Sequence, residues 1–409
     1  MKLITNIHQL LVTGEFLKPL AGKEMHELPY IENAFLAIED GLIYEFGKME
    51  DLHPLAVAEV IDATGQIVLP LWCDSHTHLV YAADREDEFV DRIKGLTYQE
   101  IAQKGGGILN SAKRLREMDI DTLYEDAAKR LESLIAMGTG AIEIKSGYGL
   151  TVSSERKMLE VIARLKENFD IPIKATLLAA HAIPELYKDR REDYIKLIVE
   201  EMIPAFAKAN LCDFIDVFCE SGYFTVAEME TILTEGKKHG LQPKVHVNQF
   251  NSIGGIAKAV EHKAVSVDHL EELTEADIIA LQNGTTIPVA LPGCSFFLGI
   301  PYTLARKLID AGLPLAIATD YNPGSSPSGN MNFIVSQACV NLRLTPQEAI
   351  AAATINGAFA MGIATETGSI TKQKKANIMI TQPLNSFNAI PYRFGNPQID
   401  KIMINGEFI

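Results

Sequence analysis

The stretch Ile67-Val68-Leu69-Pro70-Leu71-Trp72-Cys73-Asp74-Ser75-His76-Thr77-His78-Leu79 decides the fold, because an apolar run ends there in a polar cluster. Residues two apart on an extended strand point to the same side, so His76 and His78 present two imidazoles together at the strand's end. That is a metal-binding arrangement, since neutral imidazole is the commonest nitrogen ligand for Zn²⁺ and Fe²⁺. An isolated His-x-His is also found as two unrelated loop residues. What sets this pair apart is its place: three more His and one Asp later in the chain also close apolar strands.

From this stretch onward strands and helices alternate. The strands expected are Val68–Trp72, Ala141–Lys145, Ile173–Ala179, Asp213–Phe218, Lys244–Val247, Ala264–Val267, Thr286–Val289 and Pro314–Ala318. Helical periodicity fills the gaps over Thr122–Met137, Ser153–Glu167, Arg191–Ala209, Val226–His239, Ser252–Val260 and Glu275–Asn283. Eight such units over about 250 residues point to an α/β fold, a (β/α)₈ TIM barrel, spanning 67–364. No G-x-G-x-x-G follows an early strand, which opposes a dinucleotide-binding sheet, and Gly105-Gly106-Gly107 reads as a loop over the site.

Residues 1–66 hold short apolar strands at Leu3-Ile4, Leu10–Val12 and Phe35–Ile38, with Asp40-Gly41 as a hairpin turn. They are too few for a self-sufficient β domain. Residues 365–409 supply more, at Ser369-Ile370, Ala376–Ile380 and Ile399–Ile404, closed by Asn405-Gly406. The expectation is one small β-sandwich built from both chain termini beside the barrel.

Composition narrows the function class. With 409 residues, 47% hydrophobic and 22% charged, the chain reads as soluble and globular. No apolar run reaches membrane-helix length and the start lacks a signal-peptide core, so a cytoplasmic protein without a membrane partner is expected. A net charge of -16 argues against nucleic acid, and a small-molecule substrate remains. The five Cys are odd in number and form no C-x-x-C, so they read as reduced core thiols.

In a barrel of this kind the chemistry gathers at the C-terminal ends of the strands. Those ends carry His76 and His78, Ser146–Gly149, His181, Glu220, His246, His269, Pro292-Gly293 and Asp320. Five of only ten His share this rim, whereas His8, His26, His53, His239 and His262 read as surface residues. A structural role for histidine does not produce that pattern, and a catalytic metal site does.

These residues carry a resemblance to the amidohydrolase superfamily and, within it, to the imidazolonepropionase family. It covers essentially the whole chain and rests on Asp74–Leu79, Asp84–Phe89, Lys145–Leu150, Ala180–Ala182, Asp216–Glu220, Asp268–Leu270 and Thr319–Ser325. The first and last belong to the superfamily at large; the others narrow it. The resemblance implies hydrolysis of the cyclic amide of 4-imidazolone-5-propanoate to N-formimidoyl-L-glutamate, a step of histidine degradation. It makes His76, His78, His246 and Asp320 the ligands of one Zn²⁺ or Fe ion per subunit, which activates a water to attack the ring carbonyl. It has Asp320 shuttle the proton and His269 steady the intermediate. It assigns the substrate's carboxylate to Arg85, completes the pocket with Tyr98, Tyr148 and His181, and places Asn322, Gly324 and Ser325 on the product's carboxylate. A homodimer is also implied.

Two positions stand apart. Many superfamily relatives bridge two metals through a carboxylated Lys on the fourth strand, where this chain has Cys219-Glu220, so one metal is expected. Lys145 is the alternative bridge, although an ion-paired residue beneath the rim is the preferred reading. Gln249 stands where some family members carry Glu and others Gln. It can hold the substrate ring by hydrogen bonds but cannot exchange protons as a deaminase requires. The alternatives are another single-metal amidohydrolase acting on a different cyclic amide or an aminated heterocycle, and a non-catalytic scaffold.

Overall fold

The structure, a computed structural model, is described for residues 1–96, 100, 106–394 and 398–409. The chain opens with strands β1 (Lys2–Leu11), β2 (Tyr30–Glu39), β3 (Leu42–Lys48), β4 (Glu59–Asp62) and β5 (Ile67–Pro70). The barrel strands follow: β6 (Trp72–Thr77), β7 (Thr139–Lys145), β8 (Ile173–Ala180), β9 (Phe214–Cys219), β10 (Gln242–Val247), β11 (Ser266–His269), β12 (Ile287–Ala290) and β13 (Ala316–Ile317). The chain ends with β14 (Ile378–Thr381), β15 (Ile399–Ile404) and β16 (Glu407–Phe408).

The barrel strands pair in parallel in sequence order from β6 to β13. Its seam is closed by a bridge between Thr77 and Tyr321 and by hydrogen bonds from Asp320 N–H to the His76 carbonyl and from His78 N–H to the Tyr321 carbonyl, at 3.0 and 2.9 Å. Asp74 fastens the same seam, accepting from the Thr319 N–H at 3.0 Å and its hydroxyl at 2.6 Å. The seam therefore brings the His-x-His segment against Asp320, about 240 residues away along the chain.

The termini form the second sheet, in the order β16-β15-β14-β5-β1-β2-β3 with β4 paired to β1. Period-two patterning places it between two cores. Leu10, Val68, Ile378, Ile380 and Met403 point into the sheet's own apolar cluster, while Leu11, Ile67, Leu69, Met379, Ile402 and Ile404 turn toward the barrel's. The hairpin signals hold: Asp40 and Gly41 both take positive φ (50° and 80°), as do Asn405 and Gly406 (47° and 79°). These two turns meet, and a Cβ on Gly41 would lie 2.8 Å from the Asn405 carbonyl oxygen.

Three local expectations are corrected. The first barrel strand is Trp72–Thr77, not Val68–Trp72, because Pro70 has no N–H to continue the ladder. Ile67–Pro70 belongs instead to the terminal sheet, paired with β1 and β14, and the chain crosses between sheets at Leu71. Ser369-Ile370 makes only an isolated bridge with Thr13. The expected helix Arg191–Ala209 is interrupted by a π turn over Ile198–Met202, just before Pro204, whose ring and missing N–H forbid the regular ladder. Among the described residues no helix is long and apolar enough to cross a membrane.

Candidate metal centre

Strand alternation sends His76 and His78 into the barrel mouth, and the ligating atoms of His76, His78 and His246 lie within 4.8 Å of one another. Asp320 reaches the same point: its Oδ1 is 3.5 Å from Nε2 of both His76 and His78. All four residues are buried. The Nε2 atoms of His76 and His246 have no hydrogen-bond partner, and a buried nitrogen left so is costly unless something else satisfies it. Three neutral imidazoles and a carboxylate are the donor set of a catalytic Zn²⁺ or Fe site, so the residues fit one divalent ion.

The electrostatics suit that ion. Burial pushes His76 and His78 well below the usual histidine range, and neighbouring cationic or histidine groups add to it. Burial lowers His246 too, against the opposing pull of Asp216. The imidazoles are thus neutral and ready to ligate near pH 7. Two of their outward nitrogens face carboxylates: Asp268 Oδ2 lies 2.7 Å from His76 Nδ1, and Asp216 Oδ2 lies 3.0 Å from His246 Nδ1. Beneath them Lys145 Nζ contacts Glu143 and Asp216 at 2.9 Å each and approaches Asp268 at 3.8 Å. This contact set is the ion-paired arrangement anticipated for Lys145.

His269 joins His76 and Asp320 within the same 4.8 Å. Its Nδ1 is 3.5 Å from Glu271, and although burial works against the charge, that carboxylate raises its pKa overall. Burial raises Asp320 to about 6, partly offset by His269. His269, Leu270 and Asp320 hold left-handed φ of 91°, 67° and 53°, strain that non-glycine residues keep where a strand end must aim a side chain.

Above the centre opens a cavity of about 530 Å³ lined by His78, Arg85, Tyr148, His181, Gln249 and the Asp320–Ser325 loop, among others. His181 stacks on His78 with ring centroids 5.2 Å apart, and its Nδ1 meets the Gly147 carbonyl at 3.2 Å. Gln249 Nε2 donates to Cys294 Sγ at 3.4 Å. Tyr98 lies outside the described residues. Glu220 is no ligand: its carboxylate accepts the Phe250 and Asn251 N–H groups at 2.9 and 3.2 Å and shapes the loop after β10. The backbone donors expected from Gly324 and Ser325 are turned inward, both onto Asn322 Oδ1, at 2.8 and 2.7 Å.

The sequence motifs included Asp216 and Asp268 without giving either a role, and Glu143 and Glu271 were passed over; all four are fully or nearly buried. A signal existed for three of them, since a lone acid inside an apolar strand has to find a partner. Sequence reasoning also gave no role to Glu88 and Arg92, which line the cavity from the helix Glu86–Ile93.

Comparison with known proteins agrees with this geometry. The amidohydrolase family profile matches residues 67–409. An imidazolonepropionase of Flavobacterium johnsoniae is 57% identical over 408 residues, covering 100% of this chain and 99% of that protein. Another, from a Geobacillus species, is 41% identical, covering 99% and 97%. The chain belongs to the amidohydrolase family, among the imidazolonepropionases. The amidohydrolase fold is also that of solved structures of low identity. A 5-methylcytosine deaminase of Klebsiella pneumoniae superposes with TM-score 0.75 at 16% identity, covering 100% of this chain and 97% of that one. An adenosine deaminase of Xanthomonas campestris with bound zinc does so with TM-score 0.73, also at 16%, covering 100% and 92%.

Proposed function

We propose that the protein hydrolyses the cyclic amide of 4-imidazolone-5-propanoate to N-formimidoyl-L-glutamate with one Zn²⁺ or Fe ion held by His76, His78, His246 and Asp320. The observation that carries this reading is the convergence of three neutral imidazoles and a carboxylate at the floor of a cavity whose rim holds guanidinium groups. The names of the full-length relatives support the same substrate.

When bound, the ion supplies a Lewis acid that polarises the ring carbonyl and acidifies the attacking water near neutral pH. Asp320, buried at the cavity floor, would take a proton from the attacking water and return it to the ring nitrogen as the carbon–nitrogen bond breaks. The oxygen of the attacked carbonyl becomes part of the new α-carboxylate. His269, with Glu271 3.5 Å from its Nδ1, would donate a hydrogen bond to the oxygen that gains charge. His181 and Tyr148 wall the ring pocket, and Gln249 bonds the ring without moving protons. The amide at Gln249 is also what speaks against a deaminase. The reading extends to a homodimer in the cytoplasm; free Cys side chains suit a reducing compartment, and exposed Val340 and Tyr392 offer apolar surface for self-association.

The test is a spectrophotometric assay of metal-loaded protein with freshly made imidazolone propanoate against an Asp320→Ala control. Turnover by the wild type alone supports the proposal, and no turnover by the wild type overturns it.

A further inference from the structure

Two guanidinium groups and one carboxylate meet at the cavity rim. Arg85 stands at the N-cap of the helix Glu86–Ile93 and Arg92 in its last turn; both line the cavity, with Glu88 between them. Arg85 is ion-paired with Glu88, whose other oxygen accepts the Gly107 N–H at 2.9 Å. Arg92 has a different environment. Its Nη2 donates to the Gly324 carbonyl at 2.5 Å, and its guanidinium carbon lies 5.1 Å from the centre of the Phe297 ring. Among the described residues no carboxylate stands within ion-pair distance of it, so a charged group half removed from water is held by a neutral acceptor.

The two cations also converge on one residue. A Cβ on Gly324 would lie 2.3 Å from Arg85 Nη1, while the Gly324 carbonyl is the acceptor for Arg92. The loop itself has little to offer an anion, because the Gly324 and Ser325 N–H groups both point at Asn322 Oδ1. Asn322 Nδ2 is likewise engaged, by the Asp320 carbonyl at 2.6 Å and Ser325 Oγ at 2.8 Å. Partial burial and the nearby Arg85 charge push the pKa of Arg92 down, against the opposing pull of the Glu88 carboxylate.

We propose that Arg92 is a second binding residue for the substrate's carboxylate, exchanging the Gly324 carbonyl for the anion and sharing it with Arg85. This deepens the function proposed above and rests on it, since it requires an anionic substrate. It makes the pocket selective for a ring bearing a carboxylate, because an uncharged side chain would leave the half-buried guanidinium facing no anion.

The experiment compares metal-loaded wild type, Arg92→Gln and Arg92→Lys in steady-state kinetics with imidazolone propanoate. Inhibition by imidazole-4-propanoate is measured beside that by 4-propylimidazole, which has the same ring but no carboxylate. Losing one charge-assisted contact raises KM about ten- to hundredfold in Arg92→Gln, with a smaller change in kcat and partial recovery in Arg92→Lys. The same variant loses affinity for the inhibitor bearing the carboxylate and keeps it for the one without it. Equal weakening of both inhibitors would reduce Arg92 to a prop for the Gly324 loop and overturn the inference, as would an unchanged KM. If the wild type itself fails to turn over imidazolone propanoate, the functional reading fails and takes this inference with it; turnover by wild type with unaltered Arg92→Gln kinetics sinks the inference alone.

Discussion

Replacing Lys145 with methionine removes the ammonium beneath the metal centre while keeping most of the side chain's volume. In the intact protein that ammonium contacts Glu143 and Asp216 at 2.9 Å and lies 3.8 Å from Asp268, with all four side chains fully buried. Removing one partner of a buried ion pair leaves the other charge uncompensated and costs about 3–5 kcal/mol. At about 1.2 °C per kcal/mol for a chain of this size, the melting temperature should fall by roughly 4–6 °C. The effect reaches the metal, because Asp216 orients His246 and Asp268 orients His76. Loosening such supporting carboxylates lowers metal affinity about 10–100-fold. The assay is thermal melting of the metal-loaded and metal-free variant together with competition against a chromophoric chelator. Wild-type melting and a superimposable chelator curve would refute the reasoning. A fall in stoichiometry from two ions to one would instead make Lys145 a bridging ligand.

Other perturbations probe separate parts of the account. Gly324→Ala forces its methyl into Arg85, so KM for the carboxylate-bearing substrate should rise while metal content stays at one ion, and kinetics beside metal analysis checks both. Burial lowers the pKa of Lys374 from 10.5 to about 8. The unfolded chain then binds more protons than the native one between those values, so this group adds a rise in stability as pH climbs from about 8 to 10.5. Urea denaturation across that window should show a flatter slope for Lys374→Met, and an identical slope would contradict it. Chelating the metal should lower the melting temperature, with recovery on adding Zn²⁺ or Fe²⁺.

The barrel and the polar cluster at its mouth were legible because each depends on a short-range pattern, whereas the choice of His76, His78, His246 and Asp320 as ligands came from the family resemblance. His76 and His78 share a face by strand alternation, and the strand ends carry His246, His269 and Asp320 at positions a barrel must gather. What the pattern does not encode is three-dimensional company. The Pro70 break was visible, yet only the pairing of Ile67–Pro70 with β1 and β14 shows that the apolar run serves two sheets. Asn322 was expected to reach the product, whereas its amide is engaged within its own loop. Glu88 and Arg92 sit in a charged stretch, and only the fold makes it part of the cavity wall.

Anomalous diffraction at the absorption edge of the bound metal tests the central claim most directly. One peak per chain is expected, within about 2.0–2.2 Å of a nitrogen of His76, His78 and His246 and an oxygen of Asp320. A peak that omits any of these four side chains, or a second peak bridged through Lys145, would contradict it.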